Sequence, residues 1–195
     1  MLAIALMSCA AFAESEPVTI EIKGAIDITA KLPEGYTLNV TKESNVNVLG
    51  TITSEDATKP EILIGLSYDE LFEGKTLNDL TKEEKELLID ESAQMFLNPT
   101  VYEQTTDHGT PVIALYENSE DNSQIDVFSL WNGYFVEMVI TAKEDYPLTE
   151  DQLEIARQLI SDMWLRENTE QAADGEDVVT ITHEYHGVGA EDSWF

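Results

Sequence analysis

Cysteine occurs once in the 195 residues, at Cys9, so no disulfide can form within them and stability has to come from packing. Basic residues are also scarce. Ten Lys and Arg stand against 39 Asp and Glu, a formal net charge of −29 at pH 7. That balance excludes nucleic acid as a partner, because its phosphates would be repelled rather than neutralised. Anionic membrane surfaces are disfavoured for the same reason. Long apolar runs are missing too. The uncharged run over residues 1–13 falls short of the roughly 20 residues a spanning helix needs, so no membrane span is expected.

That first run is nevertheless informative. Met1-Leu-Ala-Ile-Ala-Leu-Met-Ser-Cys-Ala-Ala-Phe-Ala13 ends in small residues, and charge begins at Glu14. The pattern predicts a secretory signal peptide over residues 1–13, cleaved after Ala13, and an extracytoplasmic protein. No Lys or Arg precedes the apolar run, which fits a start inside a longer signal. Leu6-Met7-Ser8-Cys9 approaches a lipobox, so a lipid anchor at Cys9 and a lipoprotein held at the cell surface are the alternative. Strong acidity then reads first as a charged surface that keeps an exported chain dispersed.

Alternation of apolar and polar residues carries most of the remaining signal. Val18–Ile22, residues 26–30, residues 36–40, residues 46–53 and residues 61–66 read as strands, separated by Gly24, by Pro33-Glu34-Gly35 and by a polar loop ending at Pro60. Residues 61–66 are nearly all apolar, which predicts a strand covered on both faces. Four more strand candidates follow at 100–106, 111–116, 123–131 and 134–142. Their connections are short, and Asn132-Gly133 in particular favours a tight type I′ hairpin, so this block predicts an antiparallel meander. In its last strand Phe135, Glu137, Val139 and Thr141 form a mixed face, suited to partial cover by the second of two helices.

Two capping boxes predict those helices. Thr81-Lys-Glu-Glu84 opens a helix over 81–96, with Leu80, Leu87, Leu88, Ser92 and Met95 as its apolar stripe. Thr149-Glu-Asp-Gln152 opens another over 149–165, with Leu153, Ala156, Ile160, Met163 and Trp164 on one side. The fold class expected is α+β: an antiparallel meander sheet with two amphipathic helices packed on it. Residues 14–166 form its single domain, 167–177 an acidic linker, and 178–195 an added edge strand or a tail. In the strand version, Val179, Ile181 and Tyr185 share one side.

The Leu-Pro-Glu-Gly-Tyr turn at 32–36, a capped helix, a meander and a second capped helix ending in Ile160-Ser-Asp-Met-Trp164 occur in an order that resembles the Mog1/PsbP-like families, which include small bacterial secreted proteins and lipoproteins. The resemblance covers roughly residues 26–166. It implies an α/β/α sandwich and a role in docking to other proteins rather than catalysis. It carries no site residue.

No nucleophile elbow, P-loop or dinucleotide fingerprint is present. His108 sits in the turn Asp107-His108-Gly109. His183, Glu184 and His186 form the one metal-like cluster; on a strand Glu184 and His186 share a face while His183 points away. Two convergent ligands are half a zinc site, which borrowed carboxylates would have to complete, and a plain polar strand end is the other reading. The tip Glu117–Asn122 offers oxygen ligands for calcium but lacks the spacing of an EF-hand loop. Trp131, Tyr134 and Phe135 flank the Asn-Gly hairpin as partner anchors or as core. Close carboxylate pairs are expected by chance among 39 acids, so pairing alone identifies no acid–base site.

Three functional readings follow. The first is a secreted or envelope-associated binding or scaffolding module, not an enzyme and without a cofactor, whose partner is an extracytoplasmic protein or a cell-envelope component. The second is a binder of calcium, zinc or a small ligand. The third is a hydrolase with an unrecognised carboxylate site.

Overall fold

A computed structural model of the chain describes residues 17–44, 47–56, 58–142, 147–171, 173 and 179–182. The expected signal segment with Cys9, the cluster His183, Glu184 and His186, and Tyr185 lie outside the described residues. Eleven strands and two α-helices are described: β1 Pro17–Ile22, β2 Ile26–Lys31, β3 Tyr36–Ser44, β4 Asn47–Ser54, β5 Glu61–Tyr68, α1 Lys82–Ser92, β6 Thr100–Thr105, β7 Pro111–Asn118, β8 Ser123–Trp131, β9 Tyr134–Thr141, α2 Glu150–Asp162, β10 Trp164–Glu167 and β11 Val179–Thr182. The fold is α+β, and every strand pairing is antiparallel.

The strands form two sheets rather than the single sheet expected. Seven run in the order β3-β4-β5-β9-β8-β7-β6, two meanders joined where β5 pairs with β9. Four form a smaller sheet in the order β10-β2-β1-β11. The tight turn at Lys23–Ala25, with Gly24 at φ 75°, folds β2 back on β1, and the Pro33–Gly35 turn then sends the chain into the large sheet. Residues 179–182 lie along β1 at the small sheet's edge, Ile181 opposite Ile20.

One apolar core joins the small sheet, α2 and one face of the large sheet. Ile20, Ile22 and Ile28 of the small sheet, Leu153, Ala156 and Leu159 of α2, and Ile62, Met138 and Ile140 of the large sheet belong to it. A second, smaller core lies on the opposite face of the large sheet. There Ile113, Leu115, Phe128 and Leu130 pack against Leu77, Leu80 and Phe96, with Leu88 and Ile89 of α1 half buried above them. The mixed face of β9 is therefore covered by α1, not by α2. The cause is β9's alternation, which gives its purely apolar side, Val136, Met138 and Ile140, to the larger core.

Both capping boxes form. The Thr81 hydroxyl accepts from Glu84 N–H while the Glu84 carboxylate accepts from Thr81 N–H, and Thr149 and Gln152 repeat the arrangement. The helices are shorter than their patterns. α1 ends at Ser92 and continues as a 3-10 turn over Ala93–Met95; Leu87 and Met95 from its expected stripe are exposed, and Ile89 packs instead. α2 stops at Asp162, because Met163 is extended and the chain turns to pair with β2. Trp164 is thus in a strand. Arg166 donates to Asp27 at 2.9 Å and Asn168 donates to its other oxygen at 2.6 Å, so cross-strand pairing outweighs the helical periodicity here. Asn168, expected in a linker, is buried.

The Asn132-Gly133 hairpin has φ values of 50° and 85°, as a type I′ turn requires. A Cβ on Gly133 would stand 2.6 Å from the Tyr68 ring. Gly133→Ala should therefore lower stability by about 1–3 kcal/mol, measured by urea unfolding. Gly74→Ala, also at positive φ but with nothing within 4 Å, should cost less.

Candidate functional site

A groove of about 1020 Å³ opens between α1 and the outer face of the large sheet. Its floor follows from strand register. Leu49 lies opposite Gly65, Gly65 opposite Glu137, Glu137 opposite Phe128, and Phe128 opposite Ile113, in one row across five strands. Because Gly65 has no side chain, the surface is open beside Glu137; a Cβ there would still stand 3.7 Å from the carboxylate. Leu87, Leu88, Glu91 and Ser92 of α1 form one wall, and the segment Tyr68–Phe72 forms another. β5 is thus not covered on both faces as expected, and Leu63 remains 41% exposed on this side.

Behind Glu137 lies Asp126. The alternation of β8 puts Gln124, Asp126, Phe128 and Leu130 on the outer face, with Asp126 between Val139 and Leu115 on the neighbouring strands. Asp126 has no exposed surface, and neither carboxylate oxygen has a hydrogen-bond partner. Glu137 and the Ser92 hydroxyl, both at the groove, are close enough to act on it without meeting hydrogen-bond geometry. Burial pushes the Asp126 carboxyl up to about 7; the Glu137 charge adds to the rise and Ser92 offsets part of it. Burial also raises Glu137, and Glu91 adds to that, while the nearby Asp126 carboxyl acts the other way.

The groove's lining residues include Asp69, Glu70, Glu91 and Glu137 but no Lys, Arg or His. The nearby lysines are engaged elsewhere: Lys75 pairs with Glu84 at 2.7 Å and Lys85 with Glu103 at 2.8 Å. Around the mouth stand Leu71, Leu87 and Met95, exposed by 79%, 70% and 51%. Chemically the site is an apolar slot with an acidic, partly desolvated floor.

The residues singled out from the sequence are placed unevenly around it. Phe135 lines the groove and meets Phe72 edge-on at 5.1 Å. Tyr134 instead packs on Tyr68 at 4.8 Å, and Trp131 is half buried against the larger core. His108 is away from the groove, tilted on Trp164 at 5.6 Å and 4.0 Å from Asp162, and its burial holds its pKa below the ordinary value. At the Glu117–Asn122 tip the Glu117 carboxylate accepts from Leu97 N–H, Asn98 N–H and the Asn122 amide, so it pins the chain after α1 to the sheet. Burial, the largest single influence, raises its pKa, but the three bonds together outweigh it and leave the pKa below the ordinary value. Among the described residues, no three His, Cys, Asp or Glu converge as a metal site. Sequence reasoning missed Asp126 and Glu137. The available signal was a lone acid inside each of two apolar runs, Ile125-Asp126-Val127-Phe128 and Val136-Glu137-Met138-Val139, where a charge is costly.

Comparison with known proteins finds no matching family model and no matching curated protein.

Asp126 makes stability depend on pH. Its folded pKa lies above its unfolded value, so its contribution is fully present below about pH 4 and is lost as pH rises through about 7. Asp126→Asn removes that loss. The stability difference, variant minus wild type, should grow by about 1–3 kcal/mol between pH 5 and pH 8, as read from paired urea melts.

Proposed function

We propose that the protein is a non-catalytic binding module acting outside the cytoplasm, and that the groove beneath α1 is where it holds a partner protein. The observation that carries this reading is the exposed apolar rim of Leu71, Leu87 and Met95 converging on a concave site. Apolar side chains gathered around a cavity mark an interaction surface, whereas scattered ones need no explanation. We also propose that the chain elaborates the α/β/α sandwich of Mog1/PsbP-like proteins. Support comes from α1 and α2 packing on opposite faces of the large sheet, with β1, β2, β10 and β11 added to the α2 side.

One observation favours a second reading, a hydrolase: two carboxyl groups with raised pKa values stand together at the groove floor. Asp126 has no exposed surface, so it cannot touch a substrate, and the chemistry would rest on Glu137 alone. Acid–base pairs at a glycosidic bond both face the substrate. Binding is the better supported function.

A photo-crosslinking amino acid placed at Leu87, tested in cells that produce the protein, should give discrete adducts. The same group at Lys82, whose side chain is 83% exposed and does not line the groove, should not. Equal adduct patterns from the two positions would count against the groove.

A further inference from the structure

We infer that the groove takes an apolar polypeptide segment carrying a Lys or Arg, whose cation is placed against Glu137 and Glu91. This rests on the groove being the binding site and names the chemistry of its partner. Charge is the first argument. Glu91 on the α1 wall and Glu137 on the floor both line the slot, neither has an ion-pair partner among the described residues, and no cation lines the groove.

The second argument concerns the acid behind the slot. Asp126 lies fully buried behind Glu137 and Ser92 with both oxygens unpartnered. Asp126 does not line the groove, so a ligand meets it only through Glu137, whose own burial raises the cost of a charge left without a cation. A guanidinium or ammonium placed against Glu137 offsets its charge and relieves the electrostatic conflict between the two acids.

Size and rim decide between a small amine and a polypeptide. A volume of about 1020 Å³ is at the upper end for a small-ligand pocket. Leu71, Leu87 and Met95 line its open side yet stay largely exposed, and a small cation at the acidic floor would leave them in water. A segment with apolar side chains on either side of one basic residue covers the rim and reaches the floor together. The net charge of −29 steers such a partner toward the chain from a distance.

The test uses the full chain and three labelled amphipathic peptides of equal length, Leu/Lys, Leu/Ser and Leu/Glu, with a Lys/Ser peptide as control. Anisotropy is read at about 0.5 M salt, where long-range steering is screened. The Leu/Lys peptide should bind at least about tenfold more tightly than the others. Glu137→Gln should weaken it about tenfold, and Glu91→Gln and Leu87→Asp, at exposed positions, should each weaken it severalfold, all with cooperative melting retained. Equal binding of Leu/Lys and Leu/Ser peptides, with Leu87→Asp impairing both, would keep the groove and overturn the cationic partner. Equal binding of Leu/Lys and Lys/Ser peptides, insensitive to Leu87→Asp, would overturn both. Dimerisation of the free chain that Leu87→Asp abolishes would assign the groove to a second copy and likewise overturn the inference.

Discussion

The seven-stranded sheet carries an apolar cluster on each face, and its two covers are unequal. On one face the small sheet and α2 supply a broad continuous core. On the other, α1 has 11 residues, a length of about 16 Å at 1.5 Å per residue, against a sheet about 29 Å across for seven strands spaced about 4.8 Å apart. One short helix cannot cover that surface. The 3-10 turns at Glu70–Phe72, Leu77–Asp79 and Ala93–Met95 extend the cover, yet they leave the slot over β5 and β9 open. The groove is thus a consequence of layer mismatch, and its position is set where α1 crosses the strands.

How firmly α1 is held matters for the same reason. Its ends are fastened: the capping box and the Lys75–Glu84 pair at the start, Phe96 and the Glu117 bonds just past the finish. Between them no residue of the helix is fully buried. The acids beneath it oppose close approach of the wall to the floor, because burying two adjacent carboxyls without a cation raises the cost of desolvation. Fold and site are therefore linked through one feature, the acidic floor of the thinner layer.

Much of the architecture was legible in local patterns. Alternation located the strands, Thr81–Glu84 and Thr149–Gln152 located both helix starts, and Asn132-Gly133 fixed the hairpin between β8 and β9. Those signals depend on neighbours in sequence, which is why they survive into the fold. What failed depended on distant partners. Trp164 reads as helical until Thr29 is seen opposite it and Asp27 opposite Arg166, a pair separated by 139 positions. Likewise the mixed face of β9 does not reveal which helix covers it, and Leu87 sits on a helical stripe whose surface contact is absent. The site was the least legible part. Among 39 acids, Asp126 and Glu137 are distinguished by the strand register that sets them side by side under α1, although each interrupts an apolar run.

The central claim, that a desolvated acid pair forms the floor of an accessible slot, is tested most directly by titrating the Asp126 side-chain carboxyl by ¹³C NMR in the full chain. A midpoint near 7, as burial beside Glu137 requires, and a downward shift in Glu137→Gln are the results this account predicts. A midpoint near the ordinary aspartate value of about 4, unchanged in the variant, would contradict it.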